Sequence, residues 1–346
     1  MKKIGVGVIG CGKISQVRHL PEYADNANCR IVGVFDINLE RAKSIADQYG
    51  AKAFSSVEEL LAEKEIDAVS ICSSNNSHAS ISIQALEAGK HVLCEKPMAI
   101  TLDDCIKMVE AAERNGRYLM IGQNQRFAKA HVLAKKLIEE GRIGKILTFK
   151  TTFGHGGPET WSVDAGKNVW FFNKDLAGMG SLADLGVHKT DLIHFLTGQK
   201  VVSVSAMVAT LDKKSQDGNL IGVDDNAICI YRLSSGAMGS MTSSWTYYSS
   251  EDNSTVLYGT EGVLRLYSDP QHSVILELKD GSVEFFDVDQ IQTNDNQTKS
   301  GVIDSWIDGL VNEREPAVTG RDVLAAMKAV FGAIESSKTG KTVEIR

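Results

Sequence analysis

The chain has 346 residues, 43% hydrophobic and 23% charged, and its 44 acidic and 37 basic residues give a formal net charge of −7. At roughly 100–200 residues per domain this length predicts about two domains, and mild acidity without any run of Lys or Arg argues against DNA or RNA as a partner. No apolar stretch approaches the roughly 20 residues that span a bilayer, and a first strand at residue 4 leaves no room for a signal peptide. The six cysteines, at 11, 29, 72, 94, 105 and 229, form no CxxC pair, so reduced, mostly buried thiols in a cytoplasmic protein are expected.

Residues 1–122 alternate short apolar runs with helix-period segments, the pattern of a parallel sheet built from strand-helix-strand units. Strands are predicted at 4–10, 29–35, 51–54, 67–73, 91–95 and 118–122, with helices at 39–50, 80–90 and 101–116 that each close on Gly. Beyond Phe127 the pattern changes to a helix at 129–140, a strand at 145–154, a Gly-rich aromatic loop to 180 and a helix at 181–197. From 200 to 288, β-branched alternating runs such as 201–210, 226–233, 239–248 and 273–280 predict a mostly antiparallel, open sheet. Two further helices, near 301–313 and 320–337, are expected to pack back on one of the domains. The expected fold class is α/β, with a parallel-sheet domain over 1–122 and an α+β domain over 123–346.

Gly10-Cys11-Gly12-Lys13-Ile14-Ser15 follows the first strand and opens a helix, where backbone N–H groups can hold a pyrophosphate. Asp36 ends the next strand, 24 residues after Gly12, about the spacing at which an acid reaches the adenosine ribose. A carboxylate there accepts the 2′-hydroxyl of NAD and repels the 2′-phosphate of NADP, and with Arg41 five residues on the expectation is NAD over NADP. Ser15 stands where a third glycine is usual.

Asp184 and His188 are four apart on the helix at 181–197, hence on one face about a turn from each other. A histidine titrating near neutrality can take an alcohol proton while a carboxylate orients its ring; an exposed i, i+4 pair is the plain alternative. Glu95-Lys96-Pro97 ends a parallel strand, where doubly wound sheets bind ligands, although a Lys is ordinarily a solvated surface residue. The loop at 154–172 mixes His155, Lys167 and Asn168 with Trp161, Trp170 and Phe171. That mixture suits a polyhydroxylated ring, and also an ordinary aromatic mini-core. Lys189 and Asp191 are secondary candidates. No Cys/His spacing suggests a metal.

The strings GCGKIS, SSNNSH (73–78), AGKHVLCEKPMA (88–99), GQNQRF (122–127) and GMGSLADLGVHKTDLIHFLTG (178–198) resemble those of the glucose-fructose oxidoreductase, inositol dehydrogenase and MocA (Gfo/Idh/MocA) family across essentially the whole chain. The resemblance implies a Rossmann domain, a doubly wound parallel sheet, followed by a domain with a large open sheet. It implies Lys96, Asp184 and His188 as the catalytic set, and a Lys96–Pro97 bond in the cis form. Cofactor contacts are implied for Gly10, Gly12, Lys13, Ile14, Asp36, Ser73, Asn75, His78, Glu95, Lys96 and Gln123, and substrate contacts for Arg126, His155, Trp161, Trp170, Asp184 and His188. Two departures stand out: Ser73-Ser74 where relatives have Thr-Pro, and Phe171 where many have an Arg after the Trp. The expected activity is NAD-dependent oxidation of a secondary alcohol of a sugar, cyclitol or related polyol, or the reverse reduction, in a homodimer or homotetramer built through the second sheet. An enzyme that retains NAD for glycoside cleavage or epimerisation, and a non-catalytic dinucleotide sensor, are the alternatives.

Overall fold

The computed structural model describes residues 3–164, 166–290 and 299–346. They form two compact units, one of residues up to 124 with 299–324, the other of 125–290 with 325–346. The final helix, Gly320–Thr339, begins in the first and ends in the second.

In the first unit six strands, β1 (Ile4–Ile9), β2 (Cys29–Phe35), β3 (Lys52–Ala53), β4 (Ala68–Ile71), β5 (His91–Cys94) and β6 (Leu119–Ile121), pair in parallel in the order β3-β2-β1-β4-β5-β6. These are the strands expected from the sequence. β4 is buried at every position, which is why it reads as a continuous apolar run and not as an alternation. The helices begin and end where capping chemistry dictates. Asn38 accepts from the Arg41 N–H at 3.0 Å to start Leu39–Tyr49, which stops at Gly50 with φ +61°. Thr101 starts Leu102–Asn115, which stops at Gly116 with φ +59°. A short helix at Val57–Ala62, capped by Ser56, was not foreseen. The order turns back on itself between β1 and β4, the place where doubly wound sheets open a crevice.

Residues 299–324 group with this unit, a return that a linear division at 122 does not provide for. Ser300 donates from its N–H and its hydroxyl to Glu22 Oε1, both at 2.8 Å, Asn26 donates to Asp304 at 2.8 Å, and the Ile121 N–H reaches the Val318 carbonyl at 3.1 Å. Trp306, on the helix Val302–Val311, is fully buried.

The second unit is one nine-stranded sheet. Its strands are β7 (Ile146–Gly154), β8 (Val201–Ala209), β9 (Asn226–Leu233), β10 (Met238–Ser244), β11 (Thr255–Gly259), β12 (Gly262–Leu266), β13 (Val274–Leu278), β14 (Val283–Phe286) and β15 (Val343–Glu344), in the order β14-β13-β12-β11-β7-β10-β9-β8-β15. Every neighbouring pair is antiparallel except β7 with β10. In β9, buried Ala227, Cys229, Tyr231 and Leu233 alternate with exposed Ile228, Ile230 and Arg232, the period of a sheet with one covered face. The helix Val187–Thr197 belongs to the covered face, with Thr190 Oγ1 3.0 Å from the Tyr231 hydroxyl. The expected strand at 239–248 stops at Ser244. Trp245 leaves it, fully buried among Val169, Phe172, Ala177, Leu185, Ile221 and Val223.

Candidate active site

The turn after β1 is held by close backbone approaches. Gly10 has φ +95°, and a Cβ there would lie 2.6 Å from Cys72 C and 2.7 Å from Ser73 N, so a side chain is excluded twice over. At Gly12 a Cβ would meet nothing within 4 Å; this glycine leaves open space above the turn instead of relieving a clash. Asp36 closes the arrangement from β2, its Oδ2 accepting the Cys11 N–H at 2.7 Å and its Oδ1 the Asn38 N–H at 2.8 Å, with the Arg41 guanidinium 3.9 Å away. Burial and the Asp36 charge push the Cys11 thiol up to about 12. Beside Asp36, the Ile37 side chain is 93% exposed, an apolar surface at the rim of the turn that the sequence reading did not single out. The helix that follows is a π-turn, Ser15–His19, running into Leu20–Asp25. Ser15, in place of the third glycine, turns its hydroxyl back onto the Gly12 carbonyl at 2.9 Å.

The loop after β5 carries Glu95, Lys96 and the cis Lys96–Pro97 bond. Glu95 is anchored, with His19 Nε2 at 2.8 Å, Arg18 Nη1 at 3.4 Å and the Lys96 N–H at 3.2 Å. Burial raises its pKa, but the His19 hydrogen bond and the Arg18, His19 and Lys96 charges outweigh this and hold it well below the usual carboxylate range. Behind it, His19 Nδ1 meets Ser70 Oγ at 3.1 Å, and Ser70 meets the Tyr23 hydroxyl at 2.6 Å. Glu95 therefore shapes the backbone that presents Lys96, which is half-buried. His78 ties this loop to the one after β4: its Nδ1 contacts the Pro97 carbonyl at 2.7 Å and its Nε2 the Ser73 carbonyl at 3.1 Å. Burial lowers the His78 pKa against the upward pull of those carbonyls. The Ser73 hydroxyl accepts from Ser77 at 2.7 Å, and Asn75 is buried. Gln123, just past β6, is 1% exposed, and neither its amide nitrogen nor its oxygen has a hydrogen-bond partner among the described residues.

In the second unit the expected regular helix at 181–197 opens as a π-turn, Leu182–Gly186, in which the Val187 N–H reaches back five residues to the Leu182 carbonyl. Val187–Thr197 then continues as an α-helix to Gly198. Asp184 lies in the π-turn and His188 at the start of the α-helix, both 6% exposed, so neither belongs to an exposed surface pair. Asp184 Oδ2 accepts the Trp245 indole N–H at 3.0 Å and lies 3.8 Å from His155 Nε2. His155 Nδ1 accepts the Gly157 N–H at 3.0 Å, which leaves the proton of the neutral ring on Nε2, facing Asp184. The Phe153 ring packs against both His155 and His188, with centroids 5.9 and 6.1 Å away.

The 154–172 loop divides by role. Trp170 stacks on Phe171 with centroids 3.9 Å apart, and both pack against the Trp245 cluster, the mini-core arrangement. Trp161 meets His155 and Phe171 edge-on, and its buried Nε1–H has no hydrogen-bond partner among the described residues. Lys167 and Asn168 are exposed. Lys213 secures the loop, its ammonium donating to the Gly156 carbonyl at 2.5 Å and pairing with Glu159. Arg126 forms a two-pronged pair with Asp191, at 2.7 and 2.6 Å. Lys189 is fully buried, its Nζ donating to the Asn253 carbonyl at 2.8 Å, and burial lowers its pKa to about 7. Sequence reasoning missed Trp245, Lys213 and Ile37; none sits in a motif, and only their neighbours in space mark them.

Residues 4–123 match the model of the Gfo/Idh/MocA family, described as an oxidoreductase family with an NAD-binding Rossmann fold, and residues 131–265 match its C-terminal domain. Levoglucosan dehydrogenase of Pseudarthrobacter phenanthrenivorans is 31% identical over 289 residues, covering 76% of this chain and 73% of that protein. The chain belongs to the Gfo/Idh/MocA family. Inositol 2-dehydrogenase of Rhizobium meliloti is 28% identical over 98% of both chains. The crystal structure of aldose-aldose oxidoreductase from Caulobacter crescentus, complexed with glycerol, matches with a TM-score of 0.84 at 25% identity, over 99% of this chain and 100% of that one. Like its family, this protein is an oxidoreductase that uses NAD. The first unit fits that dinucleotide: open space above Gly12 leaves room for a pyrophosphate, Asp36 stands at the end of β2, and the buried Gln123 amide has no hydrogen-bond partner among the described residues.

Two outcomes follow for the first unit. Gly12→Val, whose side chain points into open space, should leave thermal stability unchanged and weaken NADH binding about tenfold or more, as read by fluorescence titration; unchanged affinity would contradict the placement. Because the folded-state pKa of Glu95 lies below the ordinary 4.5, its stabilisation is present above pH 4.5 and lost as the pH falls below it. Glu95→Gln should therefore be less stable at pH 7 yet lose less stability on acidification. Parallel urea-midpoint profiles of the two proteins would refute this.

Proposed function

We propose that the protein oxidises a secondary alcohol of a sugar, cyclitol or related polyol with NAD, or reduces the corresponding ketone. When bound, NAD supplies the hydride acceptor at nicotinamide C4. The residues that hold it are Gly10, Gly12, Lys13, Ile14 and Asp36, with Ser73, Asn75, His78, Glu95, Lys96 and Gln123 shaping or lining its nicotinamide end. Lys96 polarises the reacting oxygen. His188 takes the hydroxyl proton, and Asp184 stabilises the resulting imidazolium. Trp161 presents an N–H donor to a further hydroxyl and Trp170 an aromatic face to the apolar side of the ring, while His155 stands beside Asp184 and Arg126 supports this side through Asp191.

The observation that carries this reading is the buried Asp184 of the π-turn, held by an indole N–H and 3.8 Å from His155, with the His155 and His188 rings both packed against Phe153. It combines proton-transfer groups with aromatic surfaces, as oxidation of a polyhydroxylated ring requires. The names of the relatives, a levoglucosan dehydrogenase and an inositol 2-dehydrogenase, agree with it. No helix among the described residues is long and apolar enough to cross a membrane, and all six thiols are free and buried, which suits a reducing compartment such as the cytoplasm.

The exposed face of the nine-stranded sheet extends the proposal to assembly. Met207 faces Ile228 across β8 and β9, and Ile230 and Met238 lie on the same exposed surface. An apolar face of this kind is the expected contact of a homodimer or homotetramer, and a monomeric mass by light scattering at working concentration would contradict that.

The direct test of activity is NADH formation at 340 nm with NAD and a panel of cyclitols, aldoses and sugar acids. His188→Ala should lower kcat by about 10²–10⁴-fold without changing NADH affinity. A panel that yields no NADH while NAD binds tightly, or a variant as fast as the parent, would overturn the proposal.

A further inference from the structure

The π-turn that carries Asp184 needs an outside support. Such turns are rare, appear mostly as single turns inside α-helices and are frequent at functional sites. In an α-helix four residues overshoot a full turn by about 40°, whereas in the wider π-turn they fall short of one. The choice between the two forms therefore sets the angle between Asp184 and His188.

The support comes from a residue about forty positions away. Asp224 Oδ1 accepts the Gly180 N–H at 2.7 Å, and its Oδ2 accepts the Leu182 N–H at 2.8 Å and the Ser181 hydroxyl at 3.0 Å. The Asp224 carbonyl accepts the Ser181 N–H at 2.8 Å. Three consecutive N–H groups at the mouth of the helix, which have no partners within it, are thus all taken by one residue. The approach is so close that a Cβ on Gly180 would lie 1.7 Å from the Asp224 carbonyl oxygen. At the far end of the turn, Gly186 lets β10 come near: a Cβ there would meet Leu182 Cδ1 at 2.7 Å and Met241 Cε at 3.2 Å. The next residue, Asp225, accepts the Trp245 N–H on its carbonyl at 2.8 Å, while its carboxylate accepts the N–H groups of Leu211, Asp212 and Lys213 at 2.7, 2.8 and 2.8 Å. One dipeptide thereby fixes both sides of the Trp245–Asp184 hydrogen bond.

We propose that Asp224 is a positioning residue of the reaction, which holds the Leu182–Gly186 turn in its π form and so sets the angle between Asp184 and His188. This rests on the reading of that pair as the acid–base machinery, but its structural half can be tested without turnover. Asp224→Asn replaces one acceptor oxygen with an amide NH2 group, a donor that faces an N–H donor, so one end of the clamp is lost while size is kept. Released from it, the turn relaxes toward α-helix and Asp184 leaves the Trp245 indole.

The test is the ¹⁵N–¹H resonance of the Trp245 indole in the full-length protein, assigned with Trp245→Phe and calibrated with Asp184→Asn, in which the carboxylate is gone. In Asp224→Asn the Trp245 signal should move most of the way to its position in Asp184→Asn, while Trp306 of the first unit stays in place. Ser181→Ala, which removes one donor to the same carboxylate, should move it less and in the same direction. In the steady state kcat should fall about 10–100-fold, with NADH affinity within about twofold of the parent, the expected consequence of sub-ångström to 1 Å misplacement. A Trp245 signal unmoved in a folded Asp224→Asn protein overturns the proposal. If that variant does not fold, an unmoved signal in Ser181→Ala overturns it. A shifted signal without any polyol oxidation leaves the clamp standing and counts against the proposed activity alone.

Discussion

A buried carboxylate is tolerated only where donors or positive charge meet it, and in the second unit Asp184, like Asp191 and Asp225, is met in this way. The Trp245 indole N–H holds Asp184 Oδ2 at 3.0 Å, and the His155 ring faces the same oxygen at 3.8 Å. To put Trp245 there, β10 must stop at Ser244 and the chain turn inward. To put His155 there, Gly157 must donate to Nδ1 and Lys213 must hold the loop. The nine-stranded sheet is in this sense the frame on which one carboxylate is aimed.

The first unit solves the opposite problem, that of keeping side chains away. At Gly10 the backbone approaches the loop after β4 too closely for any Cβ, and at Gly12 space is left above the turn. Asp36 spends both carboxylate oxygens on backbone N–H groups, one on each side of the turn. Its place at the end of β2 is therefore as much a matter of holding the loop as of meeting a ribose. Glu95 works similarly beneath Lys96, satisfied by His19, Arg18 and backbone. Residues that motif reading assigns to ligand contact thus also do structural work.

The parallel sheet was legible because buried strands between amphipathic helices leave a signal in local composition, and the glycines at 50 and 116 mark where two of the helices end. The antiparallel sheet was only half legible. The alternation of β9 stands out, whereas β11, β12 and β14 are short strands of ordinary composition, and β15 is two residues at the chain's end. Asp184 and His188 were visible through their spacing. The π-turn between them was not, since its cause, Asp224, lies beyond any local window. For the same reason Trp245 read as the continuation of a strand and Arg126 as a substrate contact, when Asp191 already holds it.

In the proposed reaction a carbinol hydrogen passes to NAD as hydride. This transfer is tested most directly by incubating the protein with NAD and perdeuterated myo-inositol or perdeuterated glucose and weighing the cofactor by mass spectrometry. The account predicts NADH heavier by one deuterium, located at nicotinamide C4. Substrate consumed with the cofactor recovered unlabelled, or neither compound labelling the cofactor, would contradict it.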